Sequence, residues 1–204
     1  MKKKILITGA SGLLGRALVN QFVNGDFFVL AQYHTSRPDD NKNCQWLRAD
    51  FSDLAGIRDF LKKNRKQFSD CSYLINNYGP ITGKDITDLK GEDFYFDYHH
   101  NVITAFEIID FFIHYAPLQG VVNVGFEFLG EIKAYKKILT YAAAKNALQL
   151  LTKSFEKQYP DIGFNMVSLA TLEGAAVKAK SSSPNRVSPE SAAKEIFGLI
   201  KRRL

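Results

Sequence analysis

The sequence predicts one α/β domain, on three observations. At 204 residues the chain is long enough for a single sizeable core and too short for two comfortable ones. Its first apolar segment runs through a glycine-rich turn straight into a helical pattern. Beyond that, short apolar stretches keep alternating with longer segments of helical period.

The first strand is Ile5-Leu6-Ile7-Thr8, which ends abruptly in Gly9-Ala10-Ser11-Gly12-Leu13-Leu14-Gly15. Leu14, Ala17, Leu18 and Phe22 then recur at helical spacing. Glycines in such a turn let the backbone approach a pyrophosphate, and the free amides and positive dipole end of the following helix receive its charge. Gly9, Ser11, Gly12, Leu14 and Gly15 are therefore candidate cofactor contacts.

A second strand, Phe27 to Tyr33, leads to His34-Thr35-Ser36-Arg37. An acidic residue here would select NAD through the free ribose 2'-hydroxyl, and none is present. Hydroxyls and a guanidinium suit a 2'-phosphate instead, so Thr35, Ser36 and Arg37 favour NADP(H) over NAD(H). An ordinary polar turn is the competing reading.

Trp46-Leu47-Arg48-Ala49 reads as a third strand, with Asp50 at its end placed to contact an adenine edge. Ser52 is expected to cap a helix reaching to about Phe68, with Leu54, Ile57, Phe60 and Leu61 facing inward. The fourth strand, Ser72 to Ile75, opens into Asn76-Asn77-Tyr78-Gly79-Pro80.

A long helix is expected from about Asp93 to Tyr115, carrying Asn101 and an apolar face wider than one sheet contact requires. The fifth strand is Val121 to Val124. A second broad helix runs from Tyr141 to Tyr159, with Leu148, Leu151 and Phe155 on one stripe and Ala147 and Leu150 beside it. Two such helices packing against symmetry mates would make a homodimer or homotetramer.

Phe164 to Leu169 reads as the sixth strand and Pro189 to Arg203 as a closing helix. Between them, Thr171 to Ser188 contains Ser181-Ser182-Ser183-Pro184 with Lys178, Lys180 and Arg186. It is either a mobile substrate lid or a surface linker.

The chemistry centres on Thr140-Tyr141-Ala142-Ala143-Ala144-Lys145. On a helix, residues four apart lie one above the other, which sets the Tyr141 phenol beside the Lys145 ammonium. An adjacent cation favours a phenolate and would lower the ordinary tyrosine value of about 10. The three alanines keep the helix strong and its surface low, leaving room for a flat ligand.

These residues together resemble the short-chain dehydrogenase/reductases over nearly the whole length. Thr8-Gly9-x-x-Gly12-x-x-Gly15, Asp50, Asn76-Asn77-x-Gly79, Asn101 and Tyr141-x-x-x-Lys145 stand in that family's order. The resemblance implies a three-layer Rossmann fold, a doubly wound parallel sheet of about six strands, with NAD(P) across the switch point. It implies Tyr141 as general acid or base toward a carbonyl or alcohol substrate. Lys145 would lower the tyrosine's pKa and hold the nicotinamide ribose, and Asn101 would support a proton relay. Asn77 and Gly79 would line the cofactor cleft, and oligomerisation would run through the two long helices.

Several features depart from the family pattern. Gly12 stands one residue earlier than in most small members, a spacing similar to the epimerase-like branch. Tyr78 replaces a small residue, and Leu169-Ala170 replaces the usual Pro-Gly. Relatives add a strand after the closing helix, so a smaller sheet is expected here. The catalytic serine is expected just after the fifth strand, where Gly125-Phe126 stands, and no Ser or Thr occurs between Thr104 and Thr140. Glu127, Tyr135 or a water would have to supply the missing donor. A Gly-Phe here also resembles a bacterial subgroup of reductases that keeps the Tyr and Lys. Three readings follow: an NADP(H)-dependent oxidoreductase, a catalytically weak or inactive NADP-binding sensor or scaffold, and a nucleotide-sugar epimerase or dehydratase. The third lacks a C-terminal substrate domain.

The rest of the sequence excludes more than it adds. The net charge of +6 comes from scattered Lys and Arg, which suits an anionic small ligand and not nucleic acid. Cys44 and Cys71 have neither metal spacing nor a disulfide framework, so reduced thiols are expected. His99-His100 is adjacent and cannot share a helical face as metal ligands would, and Asp39-Asp40 has no convergent partners. The apolar run after Lys2 to Lys4 stops after Ile7, too short for a signal peptide, and no stretch reaches membrane-spanning length. A cytoplasmic protein is the expectation.

Overall fold

A computed structural model describes residues 2–38, 41–127, 135–175 and 186–202. Asp39-Asp40, Phe128, Lys178, Lys180, the Ser181–Pro184 run and Arg203 lie outside the described residues.

Six parallel strands form the central sheet: β1 (Lys3–Ile7), β2 (Phe27–Tyr33), β3 (Cys44–Arg48), β4 (Cys71–Asn76), β5 (Gly120–Val124) and β6 (Gly163–Val167). Their spatial order is β3-β2-β1-β4-β5-β6, so the chain leaves β1 in one direction and returns to its other side at β4. That reversal makes the doubly wound Rossmann topology, with its crevice at the carboxyl ends of β1 and β4. The strands are short apolar runs because both faces are covered. Ile5 and Ile7 point into one core and Leu6 into the other.

Helices α1 (Leu13–Asn24) and α7 (Pro189–Lys201) cover the first face, where Phe22, Phe27 and Phe197 meet edge to face. The opposite face carries α2 (Leu54–Lys63), the short α3 (Arg65–Phe68), α4 (Gly91–Tyr98), α5 (Thr104–Tyr115) and α6 (Leu139–Gln158). Strands β7 (Thr171–Leu172) and β8 (Arg186–Val187) pair in parallel and join the two described ends of the 171–188 region.

Several expected boundaries move, each for a local reason. Asp53, not Ser52, caps α2, because its carboxylate accepts the Gly56 amide at 2.7 Å. Leu54, in the first turn, is exposed, while Ile57, Phe60 and Leu61 are buried. The helix ends at Lys63 because the Asn64 side chain takes the Phe60 carbonyl. The sixth strand stops at Val167, and α6 begins at Leu139, so Thr140 lies inside it.

The largest difference is in the helix expected from Asp93 to Tyr115. It is interrupted between α4 and α5 by a π-helical segment, His99–Ile103. Asn101 lies in it, and its Nδ2 donates to the Asp97 carbonyl at 2.9 Å, inside the helix's own ladder. Such insertions into the i→i−4 ladder widen a helix locally and recur at functional positions.

Candidate functional site

The glycine turn is built by backbone geometry. Gly9 has φ +60, a left-handed conformation that suits glycine, and a Cβ there would sit 2.9 Å from the Tyr78 Cα. A Cβ on Gly15 would lie 2.2 Å from the Gly9 oxygen, so α1 packs directly on the turn. The Gly12 amide donates to the Gly9 carbonyl, Arg16 Nε donates to the Ser11 carbonyl, and Leu14 is buried beneath. Gly12 supplies no side-chain cap to α1, so first-turn amides remain for an anion at the positive end of the dipole.

Sequence reasoning missed what fixes this turn. Gln32 is 1% exposed in β2. Its Oε1 accepts the Gly9 amide at 2.8 Å, and its Nε2 donates to the Ala49 carbonyl at 3.0 Å. The clue was available: Gln32 is the lone amide in the otherwise apolar and aromatic strand Phe27–Tyr33. From the other side, Thr8 Oγ1 accepts the Asn77 and Tyr78 amides, and Asn77 Nδ2 donates to the Thr8 and Gly9 carbonyls. Asn77 therefore clamps the two halves of the crevice.

Thr35, Ser36 and Arg37 are exposed in the turn after β2. Arg48 Nε donates to the His34 carbonyl at 3.2 Å, adding a second guanidinium beside that turn. Asp50 Oδ1 accepts the Ser52 amide, and His34 Nε2 stands 3.5 Å from Asp50 Oδ2. Those contacts hold the Asp50 carboxyl below its ordinary value, the Ser52 amide contributing most. His34, Arg48 and Asp50 line a cavity of about 330 Å³ that extends to Asp59 and Lys63 on α2.

At the other end of the crevice, Tyr141, Lys145, Asn101 and Gly79 come together. Lys145 is 5% exposed. Its Nζ donates to the Val124 carbonyl at 2.8 Å and lies 5.4 Å from the centre of the Tyr141 ring. A Cβ on Gly79 would lie 2.3 Å from Asn101 Oδ1 and 3.1 Å from Lys145 Nζ, which explains a glycine at this point. Asn101 Nδ2 is satisfied by the Asp97 and Pro80 carbonyls, whereas its buried Oδ1 has no partner among the described residues. A buried orphan acceptor in a crevice is an opening for a water or ligand hydroxyl.

The electrostatics differ from the sequence expectation. The Tyr141 hydroxyl is pushed up from its ordinary value, by burial first and by the Asp97 charge second. Burial also lowers the Lys145 amine to about 8. At neutral pH the site therefore holds a protonated phenol beside an amine that is still largely protonated.

Phe126 occupies the position after β5 where a hydroxyl was expected. Its ring meets Tyr141 edge to face at 5.7 Å and lies 6.0 Å from Tyr135. Gly125 packs closely there: a Cβ would come within 2.7 Å of the Met166 Cε and 3.1 Å of the Val167 carbonyl oxygen. Tyr78 turns away from the crevice: its ring packs edge to face on Phe51, and its hydroxyl shares a 2.9 Å hydrogen bond with His100 Nδ1. His99 Nε2 hydrogen-bonds the Phe51 carbonyl at 3.0 Å. Among the described residues no cluster could hold a metal ion, and no helix is long and apolar enough to cross a membrane.

A family model described as short chain dehydrogenase matches residues 3–185. No curated protein matches the sequence significantly. Several solved structures are similar in fold. A short chain dehydrogenase family protein from Francisella tularensis superposes with TM-score 0.82 at 20% identity, covering 98% of this chain and 91% of that one. ElxO with NADP bound gives 0.80 at 20%, with the same 98% and 91% coverage. An NADH-dependent reductase, A1-R' complexed with NAD, gives 0.81 at 19%, covering 96% and 87%.

Proposed function

The chain belongs to the short-chain dehydrogenase family, and on that premise we propose that it is an NADP(H)-dependent oxidoreductase interconverting a carbonyl and an alcohol, with Tyr141 as the proton-transfer group. The observation that carries the reading is the convergence of Tyr141, Lys145, Asn101 and Gly79 at one end of a crevice whose other end is the Gly9–Gly15 turn. The donor set fits a nicotinamide dinucleotide: glycine positions with no room for a Cβ, uncapped helix amides, and an orphan amide oxygen beside the lysine.

Ser11, Gly12, Leu14 and Gly15 would hold the pyrophosphate. Asp50 would meet the adenine, and Asn77, Gly79 and Lys145 would hold the nicotinamide ribose. Thr35, Ser36 and Arg37 would take a 2'-phosphate, with Arg48 at hand. Solved relatives bind NADP in one case and NAD in another, so the preference rests on this turn alone. The bound dinucleotide would supply the hydride-exchanging carbon.

The chain's own work is positioning and proton supply. The Tyr141 phenol is protonated at neutral pH and suited to donate to a carbonyl oxygen as charge builds there. Lys145, with a value near 8, can carry or pass a proton in the working pH range. Asn101 Oδ1 would hold a relay water. Phe106 and Leu150, exposed on α5 and α6, are the surface proposed for a homodimer or homotetramer.

The test is binding of NADP against NAD by thermal shift, then a carbonyl panel with the form that binds. Tyr141→Phe should abolish turnover and leave binding intact; undiminished turnover would sink its role. Arg37→Ala should cut the preference for NADP about tenfold or more, as expected for a lost charge-assisted phosphate contact.

Phe126 favours a second reading, a nucleotide-binding sensor or scaffold with little turnover. It places a ring against Tyr141 where substrate oxygen would need a second donor. Tight NADP binding without turnover across the panel would support it.

A further inference from the structure

Asp97 is 0% exposed at the end of α4. Its Oδ2 accepts the Thr140 hydroxyl at 2.5 Å, and its Oδ1 accepts the Thr82 amide at 3.2 Å. Its own carbonyl accepts Asn101 Nδ2. Among the described residues it forms no ion pair. A carboxylate taken out of water without a counter-ion is costly, and functional sites are where such groups are retained.

The three contacts join the three pieces of the proton-transfer end. Thr82 follows the Asn77–Gly79 turn, Asn101 lies in the π segment, and Thr140 precedes Tyr141 in the first turn of α6. Thr140 is itself 3% exposed, so its hydroxyl has little water to turn to.

We infer that Asp97 is a positioning residue of this site, holding the start of α6 through the Thr140 hydroxyl and using its charge to keep the Tyr141 phenol protonated. The inference rests on Tyr141 being the proton-transfer group. A nearby anion disfavours a second one, so the carboxylate opposes the phenolate and holds the proton on Tyr141 until a substrate oxygen of rising basicity takes it. The upward displacement of the Tyr141 hydroxyl, to which Asp97 contributes after burial, agrees with this. The other charged or titratable groups at this end of the crevice are Lys145 on the same helix as Tyr141, His100, which feels the Asp97 charge, and Tyr135, which feels that of Glu127.

The test needs no substrate. Incorporation of a fluorinated tyrosine at position 141 brings the phenol into an accessible range, and fluorine NMR reads its titration. Asp97→Asn should move the midpoint down by roughly one pH unit. An unmoved midpoint in folded Asp97→Asn protein overturns the inference. Should that variant not fold, Thr140→Val carries the test: its fluorine signal should broaden or split as the start of α6 loosens, and Thr140→Ser should restore a single line. An unchanged single line in Thr140→Val overturns the inference. Turnover retained by Tyr141→Phe would instead remove the proton-transfer reading, an outcome separate from the midpoint.

Discussion

Lys145 Nζ donates to the Val124 carbonyl at 2.8 Å while standing 5.4 Å from the Tyr141 ring centre. The lysine is thus anchored to the end of β5, where burial disfavours its protonated form. Between its folded value of about 8 and its ordinary value of 10.5, the unfolded chain binds the proton more strongly than the folded one. Folded stability should therefore rise with pH across that window, by at most about 1.4 kcal/mol per pH unit. Lys145→Met removes the group, so the difference in melting temperature between parent and variant should grow in the parent's favour from pH 8 to pH 10. A constant difference would show that the amine is not desolvated.

Gly79 and Gly91 make a matched pair. A Cβ on Gly79 would collide with Asn101 Oδ1 at 2.3 Å, whereas one on Gly91, at the start of α4, meets nothing within 4 Å. Gly79→Ala should cost roughly 1–3 kcal/mol through overpacking and weaken dinucleotide binding. Gly91→Ala should be neutral or stabilising by up to about 1 kcal/mol, because it restricts the unfolded chain. Urea unfolding of both, with a binding titration for each, checks the contrast.

Gln32 should matter more than a strand residue remote from any substrate usually does. Gln32→Leu keeps the volume and removes the partner of both the Gly9 amide and the Ala49 carbonyl. The expected cost is roughly 1–3 kcal/mol for each group left unsatisfied, together with weaker dinucleotide binding. A unchanged urea midpoint would mean that the turn holds itself.

The sheet and the crevice were legible because they depend on local signals. Apolar runs such as Ile5–Ile7, the glycines at 9, 12 and 15, and the four-residue step from Tyr141 to Lys145 each state their geometry in sequence. The π segment was not legible: His99–Ile103 continues the helical pattern, and what interrupts it is a side-chain bond from Asn101 to Asp97, with Pro80 from another part of the chain. The electrostatics were hidden for the same reason. That Tyr141 is raised and not lowered depends on burial and on Asp97, which is remote in sequence and adjacent in space. The Gln32 and Asp97 contacts, spanning 23 and 43 residues to Gly9 and Thr140, are likewise tertiary facts.

Phe126 offers the sharpest separation between a working enzyme and a silent one. Its ring lies edge-on to Tyr141 at 5.7 Å, with Tyr135 on its other side at 6.0 Å. Phe126→Ser replaces that ring with a hydroxyl at the end of β5 and opens space beside the phenol. If Tyr141 alone supplies the proton and substrate oxygen lacks a second donor, the new hydroxyl should raise kcat, with a ceiling near the roughly 10²-fold or more that one such donor is worth. The ring's packing is lost at the same time, so the variant should melt lower, although half-burial at position 126 keeps the cost below that of a core phenylalanine. Steady-state kinetics on the carbonyl panel, beside Phe126→Ala as the cavity control, separate the two effects. A gain in Ser and not in Ala assigns the deficit to the missing hydroxyl. A gain in both means that the ring obstructs the substrate, and a loss in both makes Phe126 part of the substrate's own binding surface.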